Sequence, residues 1–95
     1  MATATLSEIK AQIGIPESSQ FLGYVVHVPS TDEFLAEAKE GGGVSFRAFV
    51  KGPELAQRYS EYDHAHRRAG ESKKPAEVGL LFDTGSQFIY APVND

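Results

Sequence analysis

Apolar positions along this chain recur with two different spacings. In residues 51–70, Leu55, Tyr59, Tyr62, His66 and Ala69 follow one another at steps of four, three, four and three, a single narrow stripe of a helix. Gly52-Pro53 precedes the stripe and Gly70 follows it, the usual asymmetry of helix start and stop. The spacing predicts one long helix with the rest of the chain packed around it, Tyr59, Tyr62 and His66 facing an interface or pocket. A shorter helix is predicted from about residue 6 to Gly14. There Thr5-Leu-Ser-Glu8 has capping-box spacing, and Leu6, Ile9 and Ile13 share a face until Pro16 prevents continuation. Residues 21–28 are β-branched and aromatic on both alternating faces, the pattern of a central strand covered on two sides.

Ser30-Thr-Asp-Glu33 repeats the capping-box spacing, with Phe34, Leu35 and Ala38 on one side, so a second helix is expected, stopped by Gly41-Gly-Gly43. Residues 44–50 read as a second strand. Residues 77–82 and 87–91 read as a final antiparallel pair joined by a turn at Asp83-Thr-Gly-Ser86. The order α-β-α-β-α-β-β predicts an α/β fold, with α+β as the alternative. Strands linked through helices should run parallel, giving a mixed four-stranded sheet with helices packed on it. After the first helix this order resembles a thioredoxin-like core lacking its last helix, a likeness of topology alone because the chain has no cysteine.

Ninety-five residues are enough for one domain with a modest core. The absence of cysteine excludes disulfide frameworks, thiolate metal sites and cysteine nucleophiles. Met-Ala-Thr-Ala-Thr at the start offers neither a basic leader nor an apolar run, so a cytoplasmic protein with no membrane span is expected. The net charge of −4 is unevenly spread: residues 1–46 carry −4 and residues 47–74 carry +3.

Phe82-Asp-Thr-Gly-Ser86, set between Leu80-Leu81 and Ile89-Tyr90, resembles the catalytic-aspartate signature of pepsin-like aspartic proteases. That resemblance implies two aspartates sharing a proton. This chain has one copy, and the twelve residues after Asp83 are too few for the flap hairpin and further strand of that architecture. A hairpin turn is therefore the reading. Gly41-Gly-Gly43 follows a helix rather than preceding one, which argues against a phosphate cradle. His64 and His66, two apart on a helix, diverge by about 200° and do not share a metal; no metal or cofactor is expected.

The remaining signals concern binding. If the two predicted parallel strands are neighbours, His27, Ser30, Thr31, Lys51 and Gly52 meet at their carboxyl ends before two helix starts, where a small anionic ligand could sit. Arg67, Arg68, Lys73 and Lys74 are the residues of a nucleic-acid alternative, although cations in a last helical turn also answer the helix dipole. No acid/base pair or nucleophile with its base assembles at a workable spacing. The expected function is a small non-catalytic binding or accessory protein acting through protein contacts, including a homodimer. The alternatives are a small acid/base enzyme using His27 or His66, and a nucleic-acid accessory protein.

Overall fold

In the computed structural model, which describes residues 5–93 with only the backbone of residues 39–41 and 44–46 considered, the order is α1 (Leu6–Ile13), β1 (Gln20–Val28), β2 (Glu33–Gly41), β3 (Val44–Val50), a 3-10 turn (Pro53–Leu55), α2 (Tyr62–Gly70), β4 (Glu77–Asp83) and β5 (Phe88–Pro92). The five strands form one sheet in the order β3-β2-β1-β4-β5, with every neighbouring pair antiparallel. This is an α+β arrangement of two helices and a five-stranded sheet. It corrects the expected four strands, the parallel crossovers and the thioredoxin-like order. Residues 1–4, in the stretch read for a leader, lie outside the described residues.

Several expected elements stand. Thr5 caps α1 by accepting the Glu8 N–H, and Ile9 and Ile15 pack over Phe82, Leu80 and Ala91. β1 occupies the centre of the sheet, with Val25 and Val26 both buried on opposite faces. The β4–β5 hairpin turns through Asp83-Thr-Gly-Ser86. Asp83 accepts the Gly85 N–H at 2.8 Å and the Thr84 hydroxyl accepts the Gln87 N–H at 3.2 Å, so this segment is turn chemistry.

The predicted second helix is strand β2. Phe34 and Leu35 are both buried, one in each of two clusters on opposite faces. A β-strand sends adjacent side chains to opposite faces, whereas a helix would put both on one flank. Gly42 and Gly43, with φ of 56° and 79°, form the two-residue loop between β2 and β3. Positive φ at both positions is the requirement of a type I′ hairpin, so the glycines are a strand-to-strand turn and not a helix stop.

The predicted long helix is also divided. Its first half is the 3-10 turn followed by an extended segment, and α2 begins only at Tyr62. The extended part has a special role. β1 and β2 pair directly only at His27↔Phe34 and Val28↔Glu33, after which they separate. Residues 56–59 enter the opening: Gln57 N–H bonds to Leu35 O at 2.9 Å, while Tyr59 and Tyr24 exchange two backbone bonds of 2.8 Å. Ala56 packs with Val25, Phe34 and Leu81, and Tyr59 packs with Val26, Leu35 and Val78. Residues three apart on an extended segment face opposite sides, so residues 56–59 lie as a short strap between β1 and β2, sending Ala56 to one face and Tyr59 to the other. Gly23 makes room for it. A Cβ there would lie 3.0 Å from Tyr59 O, and its φ of 141° disfavours any other residue. Beyond the strap, α2 lays Ala65 and Ala69 against Val26 and Val78.

Candidate functional site

On the face covered by α2, the ends of β1 and β2, the strand β3 and the segment after α2 enclose a groove of about 520 Å³. Its floor is Val28 and Phe49, and Thr31, Glu33, Arg47, Glu71, Ser72, Lys73 and Lys74 complete its wall. Strand alternation places Arg47 and Phe49 on the same side of β3. The antiparallel register puts Phe49 opposite Leu35, which packs on this face. The wall exists because α2 ends at Gly70 and the chain turns back over the sheet, the Glu71 and Ser72 N–H groups bonding to Arg68 O and Ala69 O.

The charges in the groove are ordered by Glu71. One of its carboxylate oxygens accepts from Arg47 at 3.2 Å and from Arg68 at 3.0 Å. Arg68 also hydrogen-bonds the buried Tyr59 hydroxyl; burial raises the Tyr59 pKa and this bond opposes the rise. Lys73 and Lys74 are exposed on the rim, and Lys51 reaches the neighbouring turn, donating to Thr31 O at 3.0 Å. The lining thus holds three cations against two carboxylates, in a chain of net charge −4.

The opposite face carries a second polar assembly. His27, only 9% exposed, has Nδ1 at 3.1 Å from Glu77 Oε2 and Nε2 at 2.9 Å from Asp32 Oδ1. Tyr90 donates to the same Glu77 oxygen at 2.8 Å, and burial followed by this carboxylate keeps its phenol well above the usual range. The imidazole packs against the rings of Phe34 and Tyr90, 4.7 and 4.8 Å away, and those two rings meet edge-on at 5.1 Å, so the three form a triangle. Asp32 takes a φ of 53° in the β1–β2 turn, a conformation aspartate tolerates better than most residues.

The sequence-predicted site is redistributed. Thr31 and Lys51 do meet, whereas Ser30 is exposed in the turn and His27 points to the other face. The expected pair of helix starts is missing, because β2 follows Ser30 and a single 3-10 turn follows Gly52. Of the predicted stripe, Tyr59 is buried, Tyr62 half-buried and Leu55 69% exposed. His66 is exposed and stacks on Tyr62 at 5.5 Å, so it is not a core histidine. His64 packs edge-on to Tyr59 at 4.7 Å, because Tyr59 lies outside the helix that was expected to turn them apart. Arg67 and Arg68 line a small hollow of about 120 Å³ with His64 and Glu71, apart from Lys73 and Lys74 on the groove.

Arg47, Phe49, Glu71, Asp32, Glu77 and Tyr90 were not singled out from sequence. A usable signal was Gly79 two positions from Leu81, the residue opposite Tyr90, since rungs two apart share a face of the hairpin. Among the described residues, no group of three or more His, Asp or Glu side chains is placed to hold a metal, and no helix is long and apolar enough to cross a membrane. The chain matches no protein-family model, no curated protein and no solved structure.

Proposed function

We propose that this is a non-catalytic binding module that takes an acidic segment of a partner protein into the groove over β3. The observation carrying this reading is the groove itself, whose volume of about 520 Å³ falls among ligand sites and whose cations stand around an apolar floor. An aliphatic side chain would cover Phe49, 39% exposed, while flanking carboxylates meet Lys73 and Lys74 on the rim. Neither His27 nor His66 lines the groove, so the acid/base reading would need a site other than this one.

The test is an NMR titration with the peptide Glu-Glu-Leu-Glu-Glu and its counterpart Lys-Lys-Leu-Lys-Lys. The acidic peptide should give saturable shifts at Val28, Thr31, Arg47, Phe49, Lys73 and Lys74. Lys73→Glu combined with Lys74→Glu should weaken it at least tenfold, a loss of about 1.4 kcal/mol. Equal response to both peptides, or shifts confined to Arg67 and the outer face of α2, would remove the groove from consideration.

A further inference from the structure

Both ring nitrogens of His27 face carboxylate oxygens, Nδ1 toward Glu77 at 3.1 Å and Nε2 toward Asp32 at 2.9 Å. A neutral imidazole carries one N–H and one lone pair, and only the imidazolium donates from both nitrogens. The surroundings on every side reinforce this. From β4 comes Glu77, from the β1–β2 turn Asp32, and from β5 the Tyr90 phenol, which donates to the same Glu77 oxygen. Phe34 of β2 contributes only a ring. Among the described residues no lysine or arginine forms an ion pair with Asp32 or Glu77. Lys51 reaches the same turn at Thr31 O.

We infer that His27 is a proton-operated clip that fastens the β1–β2 turn to the sheet when protonated and releases it when the proton leaves. The two bonds are unequal. Glu77 is about one-third exposed and tied to Tyr90, whereas Asp32 has 86% of its side chain in water. Loss of the Nε2 proton to solvent sets a lone pair against the Asp32 oxygen, and Asp32 turns to water while Nδ1–H stays with Glu77. The turn then keeps the backbone bonds Thr31 N–H to Val28 O and Asp32 N–H to Pro29 O, at 3.3 and 3.4 Å, and the Lys51 ammonium on Thr31 O, with an aspartate held at positive φ. Thr31 and Glu33, on either side of Asp32, line the groove on the other face. The clip thereby sets the groove's rim: ordered at lower pH, loosened as pH rises. This last link rests on the groove being the binding site; the clip does not.

The experiment follows the His27 ring nitrogens and the backbone amides by NMR from about pH 5 to about pH 8, in the wild type and in Asp32→Asn. An asparagine keeps the turn geometry and, by rotating its amide, serves either state of the ring. In the wild type the Thr31, Asp32 and Glu33 amides should titrate in step with the ring. Exchange at Asp32, corrected for its intrinsic pH dependence, should speed up by about tenfold, the equivalent of one charge-assisted hydrogen bond. In Asp32→Asn both effects should vanish while the ring still titrates. Turn amides that ignore the ring, or that follow it equally in the variant, would overturn the clip. Binding of Glu-Glu-Leu-Glu-Glu measured across the same range tests the coupling separately. A peptide that binds at no pH defeats the groove reading alone, because the turn amides still decide the clip.

Discussion

Tyr90 reaches Glu77 and His27 only because Gly79 has no side chain. A Cβ at Gly79 would run into the Tyr90 ring, and that ring already packs against both His27 and Phe34. Gly79→Ala should therefore destabilise the fold by about 1–3 kcal/mol through overpacking, measured by urea denaturation, and should shift the His27 resonances. The phenol adds a pH dependence of its own. Burial and then Glu77 raise the folded-state pKa of Tyr90 above its ordinary value, so the unfolded chain releases this proton first. The resulting stability is present below about pH 10, the unfolded value, and is lost as pH rises beyond it. Tyr90→Phe should cost about 1–2 kcal/mol at neutral pH for the lost bond to Glu77 and should flatten the alkaline part of the stability curve. An unchanged alkaline slope in the variant would assign that loss to Tyr59, whose phenol is shifted the same way.

The strap is where local pattern and structure diverge most. Tyr59 is 5% exposed and joined to both β1 and α2, so Tyr59→Ala should lose about 3–5 kcal/mol, the range of large aromatic truncations. Gly23→Ala should cost about 1–3 kcal/mol from backbone strain alone, with the Tyr24 and Tyr59 amides losing exchange protection together. These elements explain what sequence could convey. β1, β3, β4, β5 and α1 were legible because alternation, caps and turn residues agree locally with the final fold. β2 was not, because Glu33-Phe-Leu-Ala-Glu-Ala-Lys39 is built of good helix formers, and its strand state is imposed by the burial of Phe34 and Leu35 on opposite faces. The apparent stripe from Leu55 to Ala69 had helical spacing across a segment that is extended up to Glu61. The candidate site suffered accordingly. Thr31 and Lys51 were found from strand ends and Lys73 and Lys74 from charge, but Arg47, Phe49 and Glu71 come together only through the antiparallel register and the return of the chain after α2.

Across the whole molecule, cations gather in residues 47–74 while the chain is acidic overall, and the groove collects part of that excess on one face. Beyond Leu35, β2 and β3 run on together without β1. In hydrogen exchange, Ala38 and Arg47, paired with each other there, should open before Val25 and Leu81, since β3 is a sheet edge and β2 has left β1 by Ala38, whereas β1 and β4 lie inside the sheet. The separation of β1 from β2 also bears on how the chain reaches this state. Continued in its native register from His27↔Phe34, an uninterrupted hairpin would set Tyr24 opposite Glu37, using only nearby residues and a short loop. The native partner of Tyr24 is instead Tyr59, thirty-five positions along the chain. Local closure is fast and distant pairing slow, so a hairpin zipped in this way would have to reopen before residues 56–59 could enter. Stopped-flow refolding should then show a slow phase that shortens when that hairpin is weakened, the closed ribbon of β1 and β2 being a kinetic trap set by the late arrival of residues 56–59.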